Sequence, residues 1–300
     1  MYKIKKGFSN PKLAKEYIKR RTVGRIATYY YKNIYSRREY EIWNTDWDLA
    51  IILDACRPDV LESCSDSFSF IPETIDVNRS TASSSQEWME TNFDDKYSCF
   101  LENTIYITGN PFSDTIDRSM LSSVEEVWRY AWSEKIGTQP PKPITDQAIR
   151  TGQEQNVDRL LLHYMQPHFP SIPVDLDTEI ELEKWAEGGG TNEFLRLRSG
   201  ELSFNTVWNA YKENCRYVLE SVETLLNNYD AEKVIITSDH GNAFGEWGFY
   251  SHPSNCPIPA VRNVPWVETT AKDKNTYRPT EYEKEESEQV NSRLEALGYL

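Results

Sequence analysis

The 300-residue sequence contains no apolar run long enough to cross a membrane. Lys3, Lys5 and Lys6 are not followed by the apolar stretch that a secretory signal needs. Together these absences predict a soluble, cytoplasmic chain. Cysteine is scarce: Cys56, Cys64, Cys99, Cys215 and Cys256 are odd in number and form no CxxC pair. That spacing excludes a zinc finger or a disulfide framework and leaves most of them as small buried apolar residues. Positive charge is in deficit, 33 Lys and Arg against 47 Asp and Glu, for a net charge of -14. So acidic a chain is no partner for nucleic acid, and it stays soluble in salt. Internal repeats and low-complexity tracts are absent. Histidine is rarer than cysteine, at four: His163, His168, His240 and His252.

What is present suits an enzyme-sized core. Hydrophobic residues make up 39% and aromatic residues 13%, enough for one large α/β domain or two small ones. The charge is lopsided. Residues 1–40 hold twelve Lys and Arg against Glu16 and Glu39, a net +10, so the remaining 260 residues carry -24. This divides the chain into a basic helical arm over 1–45 and a body over 46–300. A basic arm on an acidic body predicts peripheral contact with an anionic membrane surface. The competing reading is a solvated helix packed on the acidic body.

Residues 11–38 read as helix, with Leu13, Tyr17, Ile18, Val23, Ile26 and Tyr30 as its apolar positions. Four apolar strands follow: 47–53 ending at Asp54, 104–108 ending at Gly109-Asn110-Pro111, 159–164 ending at Met165-Gln166-Pro167-His168, and 233–237 ending at Ser238-Asp239-His240-Gly241. Continuous apolar strands are buried on both faces, as in parallel sheets. Helical patterns separate them, the clearest over 202–229. Residues 270–288 read as a solvated excursion before a last helix near 282–297. The predicted fold is α/β: a largely parallel sheet sandwiched between helices, with an N-terminal helical arm.

Ligands in such sheets bind beyond the carboxyl ends of the strands. Here those ends carry Asp54, Asn110, His168 and the Asp239-His240 pair. Adjacent Asp and His suit a divalent cation such as zinc or manganese. His163 lies inside a strand and reads as a packed residue.

The segment VIITSDHGNAFGE over 234–246, followed by Tyr250-Ser251-His252 and Val264-Pro265-Trp266, resembles the C-terminal signature of the alkaline phosphatase superfamily, in its sulfatase-like branch. DLAIILDACRPD over 48–59 resembles that branch's first strand, LHYMQPHFP over 162–170 its central segment, and RLEALGYL over 293–300 its ending. The resemblance runs from about residue 47 to 300, is closest to archaeal sulfatase-like proteins, and makes the body an alkaline phosphatase-like catalytic domain.

The resemblance implies that Asp54, Asp239 and His240 bind one metal, that Ser85 is both nucleophile and ligand, with Ser84 and Ser83 as alternatives, and that Asn110 holds a substrate oxygen. His168 and His252 match positions that hold a second metal or touch the leaving group. The Asp expected four residues before His168 is missing, which puts a complete second metal site in doubt. Cys56-Arg57-Pro58 begins like the modified-cysteine motif of true sulfatases but has Val60 where Arg is needed. The implied activity is metal-dependent hydrolysis of a phosphate or sulfate ester through a Ser nucleophile and a covalent intermediate. Zinc or manganese is favoured, with calcium or magnesium admissible. The alternatives are a phospho- or sulfo-transferase modifying a glycan or lipid, and a non-catalytic sulfatase-like binding protein.

Overall fold

A computed structural model describes residues 11–34, 39–133, 135–155, 158–176 and 192–283. In chain order the elements that place the site are α1 (Pro11–Asn33), β1 (Leu49–Leu53), α2 (Pro58–Glu62), β2 (Asp76–Arg79), α3 (Ser85–Asn92), β3 (Thr104–Thr108), β4 (Ser123–Glu126), α4 (Lys142–Glu154), β5 (Arg159–Tyr164), α5 (Asn192–Ser199), α6 (Phe204–Leu226), β6 (Ala231–Thr237), β7 (Ala243–Phe244), β8 (Tyr250–Ser251) and β9 (Asn263–Ala271). The last expected helix and the RLEALGYL ending lie outside the described residues.

Among the described residues the main sheet has seven strands in the order β2-β9-β6-β1-β5-β3-β4. The pairings β6–β1, β1–β5, β5–β3 and β3–β4 are parallel, whereas β9 is antiparallel to both β6 and β2. β1 sits at the centre and all five of its residues are buried. Its alternate side chains serve opposite layers. Leu49, Ile51 and Leu53 join the cluster with Val60, Ile144, Val218 and Val222, while Ala50 and Ile52 join the one with Trp43, Trp47, Trp88 and Met89. Helices therefore cover both faces, which is why the strand sequences are apolar without alternation.

Two departures from the sequence reading have clear causes. The stretch after residue 270 is not simply solvated. β9 runs on to Ala271, the Tyr277 hydroxyl donates to Asp146 (2.6 Å) and the Tyr277 backbone N–H to Asn228 Oδ1 (2.9 Å). α1 ends at Asn33. Ile42 and Trp43, assigned by charge to the arm, are buried in the second cluster.

Candidate metal centre and nucleophile

β1, β5 and β6 are parallel neighbours, so their carboxyl ends open on one side of the sheet. Asp54 follows β1 directly. The next residue, Ala55, adopts a left-handed backbone (φ 59°), unfavourable for a residue with a Cβ. Hydrogen bonds hold it there: the Ala55 N–H donates to Asp239 Oδ1 (3.0 Å), the Cys56 N–H to Ser238 Oγ (2.9 Å) and the Tyr211 hydroxyl to Ala55 O (2.5 Å). The two strand ends are thus tied together. Gly241 has a different task from the sharp turn its sequence suggests. A Cβ there would sit 2.5 Å from the Ala260 carbonyl oxygen, so the glycine permits a close backbone approach.

Four predicted residues converge. Ser85 Oγ lies 3.3 Å from Asp54 Oδ2 and 3.4 Å from His240 Nε2. His240 Nε2 lies 3.7 Å from Asp54 Oδ1 and 3.5 Å from Asp239 Oδ2. Tetrahedral ligands about 2.1 Å from a shared zinc-sized ion would be separated by about 3.4 Å, and these four edges fall around that value. Two carboxylate oxygens in the cluster, Asp54 Oδ1 and Asp239 Oδ2, are buried with no hydrogen-bond partner. A cation between them would satisfy both, so the residues fit the implied metal.

The electrostatics agree. Burial first, and then the charge of Asp239, push the Asp54 carboxyl well above its ordinary range; Ser85 and Asn110 offset only part. Burial would push Asp239 up too, but His240, His163 and the Ala55 N–H outweigh it and hold Asp239 below its ordinary range. Two buried carboxylates side by side carry more negative charge than their protein neighbours neutralise.

Two imidazoles flank this pair. Ligand atoms of Asp54, His163 and Asp239 lie within 4.8 Å of one another, so His163 competes with His240 as a ligand. Hydrogen bonding separates them. His240 Nδ1 faces the Gly241 carbonyl (2.9 Å), which can only accept, so Nδ1 carries a proton and Nε2 is the ring atom turned toward Asp54 and Asp239. His163 Nδ1 faces the Tyr106 hydroxyl (3.0 Å). With the hydroxyl donating, His163 Nε2 carries its proton and points it at Asp239 Oδ2, 3.6 Å away. His240 Nε2 thus stands between the two carboxylates and Ser85, while His163 lies behind Asp239. As the sequence suggests, His163 is packed inside a strand and fully buried. Its nearness to Asp239 gave no sequence signal, because only pairing in register sets β5 beside β1.

The serine run separates cleanly. Ser83 Oγ donates to Glu87 (2.8 Å) and accepts from the Cys256 N–H (3.1 Å), while Ser84 is the N-cap of α3. Only Ser85 faces the carboxylates. Both amide atoms of Asn110 are engaged within the chain: its Oδ1 accepts from the Phe112 N–H (3.0 Å) and its Nδ2 donates to Asp54 Oδ2 (3.0 Å). His168 and His252 meet with their Nε2 atoms 3.0 Å apart, and the His252 ring stacks on His240 at 4.3 Å. Burial, and then the proximity of His240, lower His168 to about 4 and His252 well below the ordinary histidine value. Cys56, the decoy nucleophile, is fully buried.

Solved structures share this architecture. The integral membrane lipooligosaccharide phosphoethanolamine transferase A of Neisseria meningitidis matches with a TM-score of 0.52 and 14% identity, over 77% of this chain and 49% of that one. Its soluble domain matches with a TM-score of 0.51 and 14% identity, over 75% and 76%. A weaker match (TM-score 0.41, 9% identity, over 81% and 62%) is a protein of the alkaline phosphatase superfamily from Vibrio parahaemolyticus. The chain shares its fold with the two phosphoethanolamine transferase structures. The chain spans about half the length of the membrane-embedded transferase. No protein-family model matches the chain, and no curated protein matches it by sequence. At such identities the likeness concerns the fold alone.

Proposed function

We propose that this chain is a metal-dependent enzyme that opens a phosphate or sulfate ester through Ser85 and a covalent intermediate. The observation that carries this reading is the position of Ser85 Oγ, at the first turn of α3 and 3.3–3.4 Å from Asp54 and His240. A divalent cation held by Asp54, Asp239 and His240 would lower the pKa of the serine hydroxyl and draw charge from the ester's non-bridging oxygens. The remaining work falls to the chain. Ser85 passes its proton to the Asp54 carboxylate it faces at 3.3 Å, and its oxygen bonds to phosphorus or sulfur as the bond to the leaving oxygen breaks. The helix start favours the charge that develops there. Asn110 keeps Asp54 oriented. His168 and His252, sharing a proton between facing Nε2 atoms, stand to hold the leaving oxygen or return a proton to it.

The acceptor that releases the intermediate decides the reaction class. Water makes the enzyme a hydrolase. A sugar or lipid hydroxyl makes it a transferase, a reading favoured by two matched structures that are phosphoethanolamine transferases. A serine in place of a modified cysteine favours phosphoester over sulfate ester. Product analysis of an aryl phosphate reaction, with and without an added alcohol, tests this directly. Free phosphate alone marks a hydrolase, whereas a phosphorylated alcohol in excess of its share of solvent marks a transferase. If neither aryl phosphate nor aryl sulfate turns over with zinc, manganese, magnesium or calcium, and no metal is bound, the chain is a binding protein.

A further inference from the structure

Large apolar side chains that remain exposed are few among the described residues, and four of the seven cluster at the end of α1: Ile26, Tyr29 and Tyr30 on the helix and Ile34 just past it, at 43–65% exposure. Their spacing of three, four and eight residues from Ile26 puts them on one stripe of the helix. One flank of this stripe is occupied. Ala27 is buried against Ala243, Ile258 and Val261, and Tyr31 meets Trp247 edge-on at 6.1 Å. A third side, next to the apolar stripe, bears the exposed Arg21, Arg25 and Lys32. Arg21 and Arg25, with Arg198 and Trp247, also line a cleft of about 380 Å³ between α1 and the loop before β8. Trp247 is itself 46% exposed on a left-handed backbone (φ 53°).

We infer that α1 and Trp247 form a docking surface for an anionic lipid bilayer. An isoleucine and aromatic stripe beside a row of cations is the composition of a helix that lies in the headgroup layer. The charge pattern selects the same occupant. The first forty residues carry +10 and the rest of the chain -24, so an anionic membrane repels the body and attracts the arm, whose Arg21, Arg25 and Lys32 flank the stripe. The surface is also joined to the proposed active centre: the loop holding Trp247 continues through Tyr250 and Ser251 to His252. Docking would bring that centre to ester groups borne on lipid headgroups.

Co-sedimentation of the full chain with vesicles tests this without recourse to turnover, so it stands or falls apart from the ester chemistry. The chain should bind vesicles of phosphatidylglycerol mixed with phosphatidylcholine, bind phosphatidylcholine alone at least about tenfold more weakly, and lose affinity as salt rises. The triple variant I26S/Y29S/I34S should bind the anionic vesicles at least about tenfold more weakly. A second variant, R25E/K32E, spares the apolar stripe and should do the same, which covers the case of the first failing to fold. Equal binding to both vesicle types, undiminished binding by the two variants, or no vesicle binding at low salt would each overturn the inference. So would a wild-type dimer that the stripe variant dissociates while vesicles remain unbound, since the stripe would then be covered by a second copy.

Discussion

The hydroxyl of Ser85 points at the carboxylate of Asp54 across 3.3 Å, although one opens a helix and the other ends the central strand thirty-one residues earlier. Its neighbours Ser83 and Ser84 are committed to Glu87, the Cys256 N–H and the cap of α3.

The first prediction follows from that contrast. Ser85→Ala should lower turnover of an aryl phosphate or aryl sulfate by at least about a thousandfold, while metal content, read by elemental analysis, stays near one ion per chain. Ser83→Ala should instead lower stability by about 1–2 kcal/mol and leave most of the turnover. Cys56→Ser should also stay active. A dead Cys56→Ser beside an active Ser85→Ala reverses the assignment.

Asp54 should be a burden on the metal-free protein. Its carboxyl is raised by burial and by Asp239, so the folded state holds that proton more tightly than the unfolded chain does. Below the unfolded value of about 3.9 both states are protonated and nothing is lost; as pH climbs through that value toward the raised one, stability falls. Asp54→Asn should therefore raise the melting temperature of metal-stripped protein near about pH 7, with the gain fading toward about pH 4. The same variant should lose metal binding. An unchanged melting temperature at neutral pH would mean that the carboxylate pair is not strained.

Tyr106→Phe removes the hydroxyl that faces His163 Nδ1 at 3.0 Å. His163 can then place its proton on Nδ1 and stop donating toward Asp239. Metal affinity should fall by about 10–100-fold, measured by competition with a chromophoric chelator. Unaltered affinity would return His163 to a packing role.

Arg57 clasps both strand ends. Its guanidinium donates to the Asn242 carbonyl (3.0 Å), pairs with Glu246 (2.6 Å) and grips Asp59 (2.7 Å). Arg57→Ala should lower stability by about 2 kcal/mol and slow turnover, because Asp54 and the Asp239-His240 pair lose a shared brace. Chemical denaturation would detect the first effect; full stability in the variant would refute it.

Where the chain can be cut follows from Ile42 and Trp43. A chain beginning at Asn44 lacks both buried side chains and should lose more than about 3 kcal/mol. One beginning at Glu39 keeps them and should fold and bind metal. If both truncations melt alike, residues 39–43 contribute nothing to the body.

The sequence alone determined the strands buried on both faces. Leu49–Leu53, Thr104–Thr108 and Arg159–Tyr164 are apolar without alternation, and a strand flanked by helices on both sides needs no polar face. It also determined which residues stand at the strand ends, since Asp54, Asn110, His168 and Asp239 each follow such a run. β2 and β4 escaped notice because Asp76–Arg79 and Ser123–Glu126 are short, polar edge strands whose pairing comes from their neighbours. β9 did so because Pro265 interrupts it, a residue that an antiparallel strand accepts where its missing N–H is not needed. Tertiary structure decided which serine faces the carboxylates, since a one-residue step along a helix start turns a side chain by about 100°. It decided that His163 comes within 3.6 Å of Asp239, because parallel register sets β5 beside β1. It also decided which side of α1 stays bare, as burying Ala27 and Tyr31 against the 243–261 segment leaves Ile26, Tyr29 and Ile34 turned outward.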